Sequence, residues 1–189
     1  MRRSLISVLV AVLAIASTSA SAQQRFDGWS VSVDWLNPAN SFVLSGDTWK
    51  GHATGSLAGV SVGKGLQNGN FYLGLDGYLY GGVVETQEHG YAALNGLGGL
   101  TFKAGWVFWD RVLVYAGAGP DISLMTFGQN AQSTKIQFGS GAHVTLGVDV
   151  SVWKDVIIGV SATRRRLGDI ANINVGDSNW YRLGAVYRF

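Results

Sequence analysis

His143, Ser161 and Asp149 are the one histidine, hydroxyl and carboxylate set that period-two alternation puts on the same face of neighbouring segments. They are therefore the available combination from which a base, a nucleophile and an orienting acid could be assembled. The remaining chemistry is sparse. His52 and His89 are isolated, there is no cysteine for a disulfide or a thiolate metal site, and Gly96, Gly98 and Gly99 lack the strand-turn-helix setting of a nucleotide loop. A lone inward histidine is more often a packed hydrogen-bond partner than a catalyst. We therefore expect no enzyme and no cofactor.

The charged residues are more informative. Asp34, Asp76, Lys103, Asp149, Arg165, Arg182 and Arg188 share the face that carries Gly, Ser, Thr and Tyr, opposite an apolar face. Charges of both signs on a face otherwise so poor in charge suit a narrow interior, where each ion must be paired to be tolerated. The expected grouping is an upper cluster of Asp34, Arg165 and Arg182 and a lower one of Lys103, Asp149 and Arg188, with Asp76 near mid-height. Arg164 and Arg166 have the opposite parity, that of outward-facing Ala162. At the outer end of their segment they would lie near lipopolysaccharide phosphates, which arginine contacts in bidentate fashion. A solvated rim is the competing reading, and Lys64 at the other end would snorkel.

These positions have meaning only if the chain is exported and built of strands. Arg2 and Arg3 precede a largely apolar stretch from Leu5 to Ala16, and Ala20-Ser21-Ala22 offers a small-x-small cleavage site. Residues 1–22 thus read as a signal peptide. Its twelve-residue apolar core would span only about 18 Å as a helix, short of the roughly 30 Å that an uncleaved anchor must cross. Removing Arg2 and Arg3 leaves twelve basic against twelve acidic residues. A neutral chain without a basic block gives no reason to expect nucleic acid.

Residues 23–189 divide into eight alternating segments. The first, from Gly28 to Leu36, sets Trp29, Val31, Val33 and Trp35 against Ser30, Ser32 and Asp34; Leu57 to Lys64, Phe71 to Tyr80, Leu100 to Trp106, Val112 to Gly119, Gly141 to Asp149, Val156 to Arg166 and Tyr181 to Phe189 follow. Short turns at Gln67-Asn68-Gly69-Asn70, Trp109-Asp110-Arg111 and Trp153-Lys154-Asp155 alternate with longer linkers at 37–56, 82–96, 120–137 and 167–179. Long and short linkers in alternation describe an up-and-down meander with one rim at the cell surface.

A soluble eight-stranded barrel would also alternate, with its apolar face inside. Here the apolar face carries no Asp, Glu, Lys or Arg through the middle of the segments, and the other face is too poor in charge to meet water. Trp29, Trp35, Phe71, Trp106, Phe108, Trp109, Trp153, Trp180, Tyr181 and Phe189 fall near segment ends, as an aromatic girdle would. The fold expected is therefore all-β, an eight-stranded antiparallel transmembrane barrel whose closure leaves no unpaired edge in lipid.

The last nine residues, YRLGAVYRF, resemble the C-terminal strand of outer-membrane barrels, in which Tyr181, Leu183, Tyr187 and Phe189 would form the signal read by the barrel-assembly machinery. With FKAGWVFWDRVLVYAGAG (102–119) and FGSGAHVTL (138–146), the chain resembles the OmpA-like, small porin-family surface proteins of proteobacteria. That resemblance implies an outer-membrane protein in contact with lipid and lipopolysaccharide. The chain departs from the family in having Ala162-Thr163-Arg164-Arg165-Arg166 where Glu-Tyr-Arg is common. It also lacks the compact His-x-Ser signature of barrel enzymes that deacylate lipid A, and no peptidoglycan-tethering domain is expected after Phe189.

Because eight strands enclose little more than their own side chains, the expected role is structural or one of surface contact. A small pore is the alternative, and a lipid A hydrolase a more distant one. The four long linkers are the candidate recognition surfaces; they carry no pattern that names a ligand.

Overall fold

The computed structural model describes residues 25–38, 44–45, 54–86, 91–128, 134–167, 174–175 and 177–189. The predicted signal peptide, His52, His89 and much of the four predicted linkers lie outside them.

Among the described residues there are ten strands: β1 (Gly28–Pro38), β2 (Leu44–Ser45), β3 (Thr54–Asn68), β4 (Phe71–Thr86), β5 (Tyr91–Phe108), β6 (Val112–Gly128), β7 (Thr134–Ser151), β8 (Val156–Leu167), β9 (Asn174–Val175) and β10 (Asp177–Arg188). Eight of them close an antiparallel barrel in the order β1-β10-β8-β7-β6-β5-β4-β3, while β2 and β9 form a separate two-residue ladder. Closure joins the ends of the barrel: Ser30 lies opposite Arg188, and the Phe189 N–H donates to the Trp29 carbonyl at 3.0 Å.

Alternation sets the faces as expected. Val33, Leu79, Leu146, Val160 and Leu183 are exposed on the outside, and Ser32, Asp34, Ser61, Thr145 and Ser161 are buried inside. The short turns gather at one rim with Gly28 and Phe189. There Trp109 and Asp110 both adopt positive φ, 51° and 54°, the left-handed conformation that tight hairpins require and that non-glycine residues seldom take.

The strands run further toward the opposite rim than alternation predicts. Residues 82–86, 91–96, 120–128 and 134–137, expected as linker, are paired strand. On β4 and β5 the reason is a register shift between Gly81 and Val84 and another between Leu94 and Gly96, which break the period of two. On β6 the apparent stop was Pro120, which occupies a ladder position opposite Ala142 with its ring outward.

The rim is also oblique. Pairing of β7 to β8 begins at Gly141 opposite Leu167, so among the described residues positions 134–140 of β7 pair with β6 alone.

Candidate functional site

The interior is stacked in layers. At the short-turn end Phe26, which precedes β1, inserts completely among Tyr72, Val107, Leu113, Tyr115 and Ile157. Its N–H donates to Gln67 Oε1 at 3.0 Å, its ring meets Tyr72 edge-on at 6.3 Å, and the Arg188 guanidinium lies 5.7 Å above it. At the opposite end Leu36, Leu57, Tyr80, Val84, Leu94, Leu97, Met125 and Trp180 form a second apolar plug. Apart from Arg188, the charges occupy the space between.

Arg182 is the centre of the lower polar layer. Its Nη1 donates to Asp34 Oδ1 and its Nη2 to the Tyr115 hydroxyl, both at 3.2 Å, and Nη2 also lies 3.8 Å from Asp149 Oδ1. Asp34 also accepts from Ser32 at 2.7 Å and from the Tyr80 hydroxyl at 3.2 Å. Lys103 pairs with Asp76 and stacks its ammonium 4.6 Å from the Tyr115 ring centre.

The upper layer is built on Asp121. It accepts from Arg165 Nη1 at 2.8 Å, from the Tyr78 hydroxyl, and from His143 Nδ1 at 2.9 Å. With Nδ1 protonated toward that carboxylate, His143 Nε2 is the acceptor for the Thr101 hydroxyl at 3.0 Å.

Several expected partnerships change as a result. Arg165 pairs with Asp121 and not with Asp34; Asp149 lies with Arg182 rather than Lys103; Arg188 stands apart from both, over Phe26. Alternation gives the face of a residue but not its height, which depends on the stagger between strands. Asp121 itself lay in a segment expected as linker. Trp180, expected in the outer girdle, is 1% exposed with its indole N–H on Ser178 at 2.8 Å, whereas Tyr181 is 60% exposed. Parity decides this: Trp180 shares the inward face of Arg182.

Space for the large interior groups comes from glycines across the ladder. Asp34 faces Gly184, Asp76 faces Gly63, Asp149 faces Gly159, Tyr78 faces Gly99, and Tyr115 faces Gly147.

His143, Ser161 and Asp149 are not brought together as a hydrolytic set, because His143 meets Asp121 and Thr101 instead. Asp121, His143 and Thr101 have the connectivity of a hydrolytic triad. The Thr101 hydroxyl, however, faces an internal cavity of about 30 Å³ lined by Ser61, Lys103, Thr145, Arg165 and Arg182. That volume admits about two waters and no lipid ester. Among the described residues no group of three or more His, Cys, Asp or Glu is placed to hold a metal ion.

On the outside, Arg164 and Arg166 are exposed on β8, and Arg164 pairs with Asp177 of β10 through Nε at 3.1 Å and Nη2 at 2.5 Å. Lys64 lies over the Trp29 ring at 5.5 Å near the short-turn rim. Tyr181, Leu183, Tyr187 and Phe189 all point outward.

The fold is shared with solved outer-membrane barrels. Neisserial surface protein A is 16% identical, with 86% of this chain and 98% of that chain covered at a TM-score of 0.63. The attachment invasion locus protein Ail of Yersinia pestis is 14% identical, covering 86% and 99% at 0.56, and OprG from Pseudomonas aeruginosa is 14% identical, covering 86% and 96% at 0.51. No curated protein matches the sequence. The family model described as the outer membrane protein beta-barrel domain matches residues 8–189, and the chain, a closed eight-stranded barrel with an apolar exterior, belongs to that family.

Proposed function

We propose that this protein is a closed, non-conducting barrel of the outer membrane that serves the envelope structurally and presents its long-linker rim at the cell surface. The observation that carries this reading is the interior: an apolar plug at each end, with paired charges and a cavity of only about 30 Å³ between them. A solute path would have to displace Phe26 at one end and Leu94, Met125 and Trp180 at the other. The surface role draws support from two similar structures, which are named as a surface protein and an attachment invasion locus protein.

In the same reading residues 1–22 are removed on export, and the barrel-assembly machinery reads the outward row Tyr181, Leu183, Tyr187 and Phe189. Lipid and lipopolysaccharide surround the belt. Neither catalysis nor a cofactor enters.

The test pairs two measurements on protein extracted from the membrane. Unheated and heated samples should migrate differently on a denaturing gel, and planar bilayers containing the folded form should show no steady conductance. Stable stepwise conductance would replace the closed barrel with a small pore.

A further inference from the structure

Before it enters the barrel wall the chain crosses the short-turn mouth. Arg25, Phe26 and Asp27 form a strap there, and Gly28, at a φ of 104°, turns the chain from the strap into β1. Glycine adopts that backbone region freely, whereas other residues avoid it. Gln67 of β3 grips the strap twice: its side-chain oxygen accepts the Phe26 N–H at 3.0 Å, and its own N–H donates to Asp27 Oδ1 at 3.3 Å. Gly65 on the same strand leaves room for the strap's main chain, since a Cβ there would run into the Phe26 carbonyl oxygen. On the other side Arg25 Nη1 donates to Ser151 Oγ at 3.3 Å, on β7, which stands diametrically opposite β3 in the ring of strands.

The strap's partners come from every other strand of the barrel. Tyr72 of β4, Val107 of β5, Leu113 of β6 and Ile157 of β8 form one buried cluster with Phe26. Gln67 adds β3, Ser151 adds β7, and the Arg188 guanidinium, 5.7 Å from the Phe26 ring centre, adds β10. These side chains meet across the lumen only in a closed sheet. The pairing that closes it is the one most distant in sequence, β1 with β10, where Ser30 lies opposite Arg188. The site for Phe26 is therefore absent from an open sheet and complete in the closed barrel.

We propose that the strap is a latch: Phe26 inserts once β1 has paired with β10 and then holds that seam shut from the short-turn side. Its placement suits the task, because it immediately precedes β1 and binds the strands on both flanks of β1, through Gln67 of β3 and Arg188 of β10. An interaction made only after the rate-limiting step slows unfolding without speeding folding. The latch thus lengthens the life of the closed barrel and does not guide its assembly. Until Phe26 inserts, the strap is an accessible segment, so its state distinguishes an unfinished barrel from a finished one.

Trypsin reads the latch directly, because the bond after Arg25 can be cut only when Phe26 has left its pocket. The purified barrel is unfolded in urea and refolded into detergent micelles; the heat-dependent gel shift scores closure, and trypsin pulses with mass spectrometry of the N-terminal peptide score cleavage after Arg25. In wild type the bond should become protected together with the shifted form or after it. Phe26→Ala and Gly65→Ala should regain the shift at the wild-type rate, remain cleavable after Arg25, and lose the shifted form in urea about ten-fold faster. Phe26→Leu, which refills the pocket, should restore most of the protection. Protection that precedes the shifted form in wild type, variants as protected as wild type, or refolding slowed as much as unfolding is quickened would each overturn the proposal. The order of events in wild type decides the matter even where a variant does not refold.

Discussion

Gly184 stands directly across the ladder from Asp34, and a Cβ at position 184 would come within 2.2 Å of Asp34 Oδ1. The carboxylate has nowhere to retreat, because the same oxygen accepts from Arg182 at 3.2 Å. The first expected outcome follows. Gly184→Ala should destabilise the barrel by about 1–3 kcal/mol, the usual cost of overpacking, seen as a lower temperature for loss of the heat-modifiable form. Ala185→Gly, one residue on and facing out, should shift it much less.

Arg182 neutralises two carboxylates, so its removal should cost more than the removal of either. Arg182→Gln leaves Asp34 and Asp149 buried without their cation, a loss expected at about 3–5 kcal/mol. Asp34→Asn should cost less, since Arg182 keeps Asp149. Equal melting of both variants and wild type would show that trapped water solvates these groups separately.

In the upper layer Asp121 and Arg165 should behave as one unit. A double-mutant cycle with Asp121→Asn and Arg165→Gln should give a coupling of about 1–3 kcal/mol, because each single change already breaks the 2.8 Å contact. Additive effects would mean that Tyr78 and His143 hold Asp121 without the arginine.

Adjacent aromatic residues on β10 should respond in opposite ways. Trp180→Ala removes a fully buried ring from the plug at the long-linker end and should cost about 3–5 kcal/mol. Tyr181→Ala removes an outward ring and should cost far less, and the two are compared by chemical denaturation of the barrel in micelles.

Phe26 should fasten the segment before β1. Phe26→Ala is expected to cost about 3–5 kcal/mol and to raise amide exchange at Gln67 and Tyr72, whose side chains hold it. Unchanged exchange there would show that the ring is not what closes the short-turn end.

How much of this was legible in the sequence depends on which physical constraint wrote each part. Lipid on one side and a cramped interior on the other force Val31, Val33 and Trp35 outward and Ser32 and Asp34 inward, and that constraint repeats every second residue, so the faces could be read directly. Heights could not: the partner of Arg165 depends on strand stagger, a property of closure that no single strand records. Strand ends were obscured where bulges at Gly81/Val84 and Leu94/Gly96 interrupt the period. Asp121 was hidden behind Pro120, and Trp180 was misplaced because its chemistry suggested an interface while its parity placed it inside. Phe26 lies before the first alternating segment, where periodicity has nothing to say.

Closure between β1 and β10 gives the barrel a circular grammar. With Trp29 and Phe189 already hydrogen-bonded, a short linker could join Phe189 to the residues just before β1, and the chain could be reopened at the Trp109-Asp110 turn without altering any neighbour relation in the sheet. Such rearrangements are tolerated where termini lie close together at a surface. The permuted protein would keep its layers, plugs and ion pairs, yet its last strand would be β5, ending at Phe108 in place of Phe189. The architecture has no first strand; only delivery to the membrane supplies one.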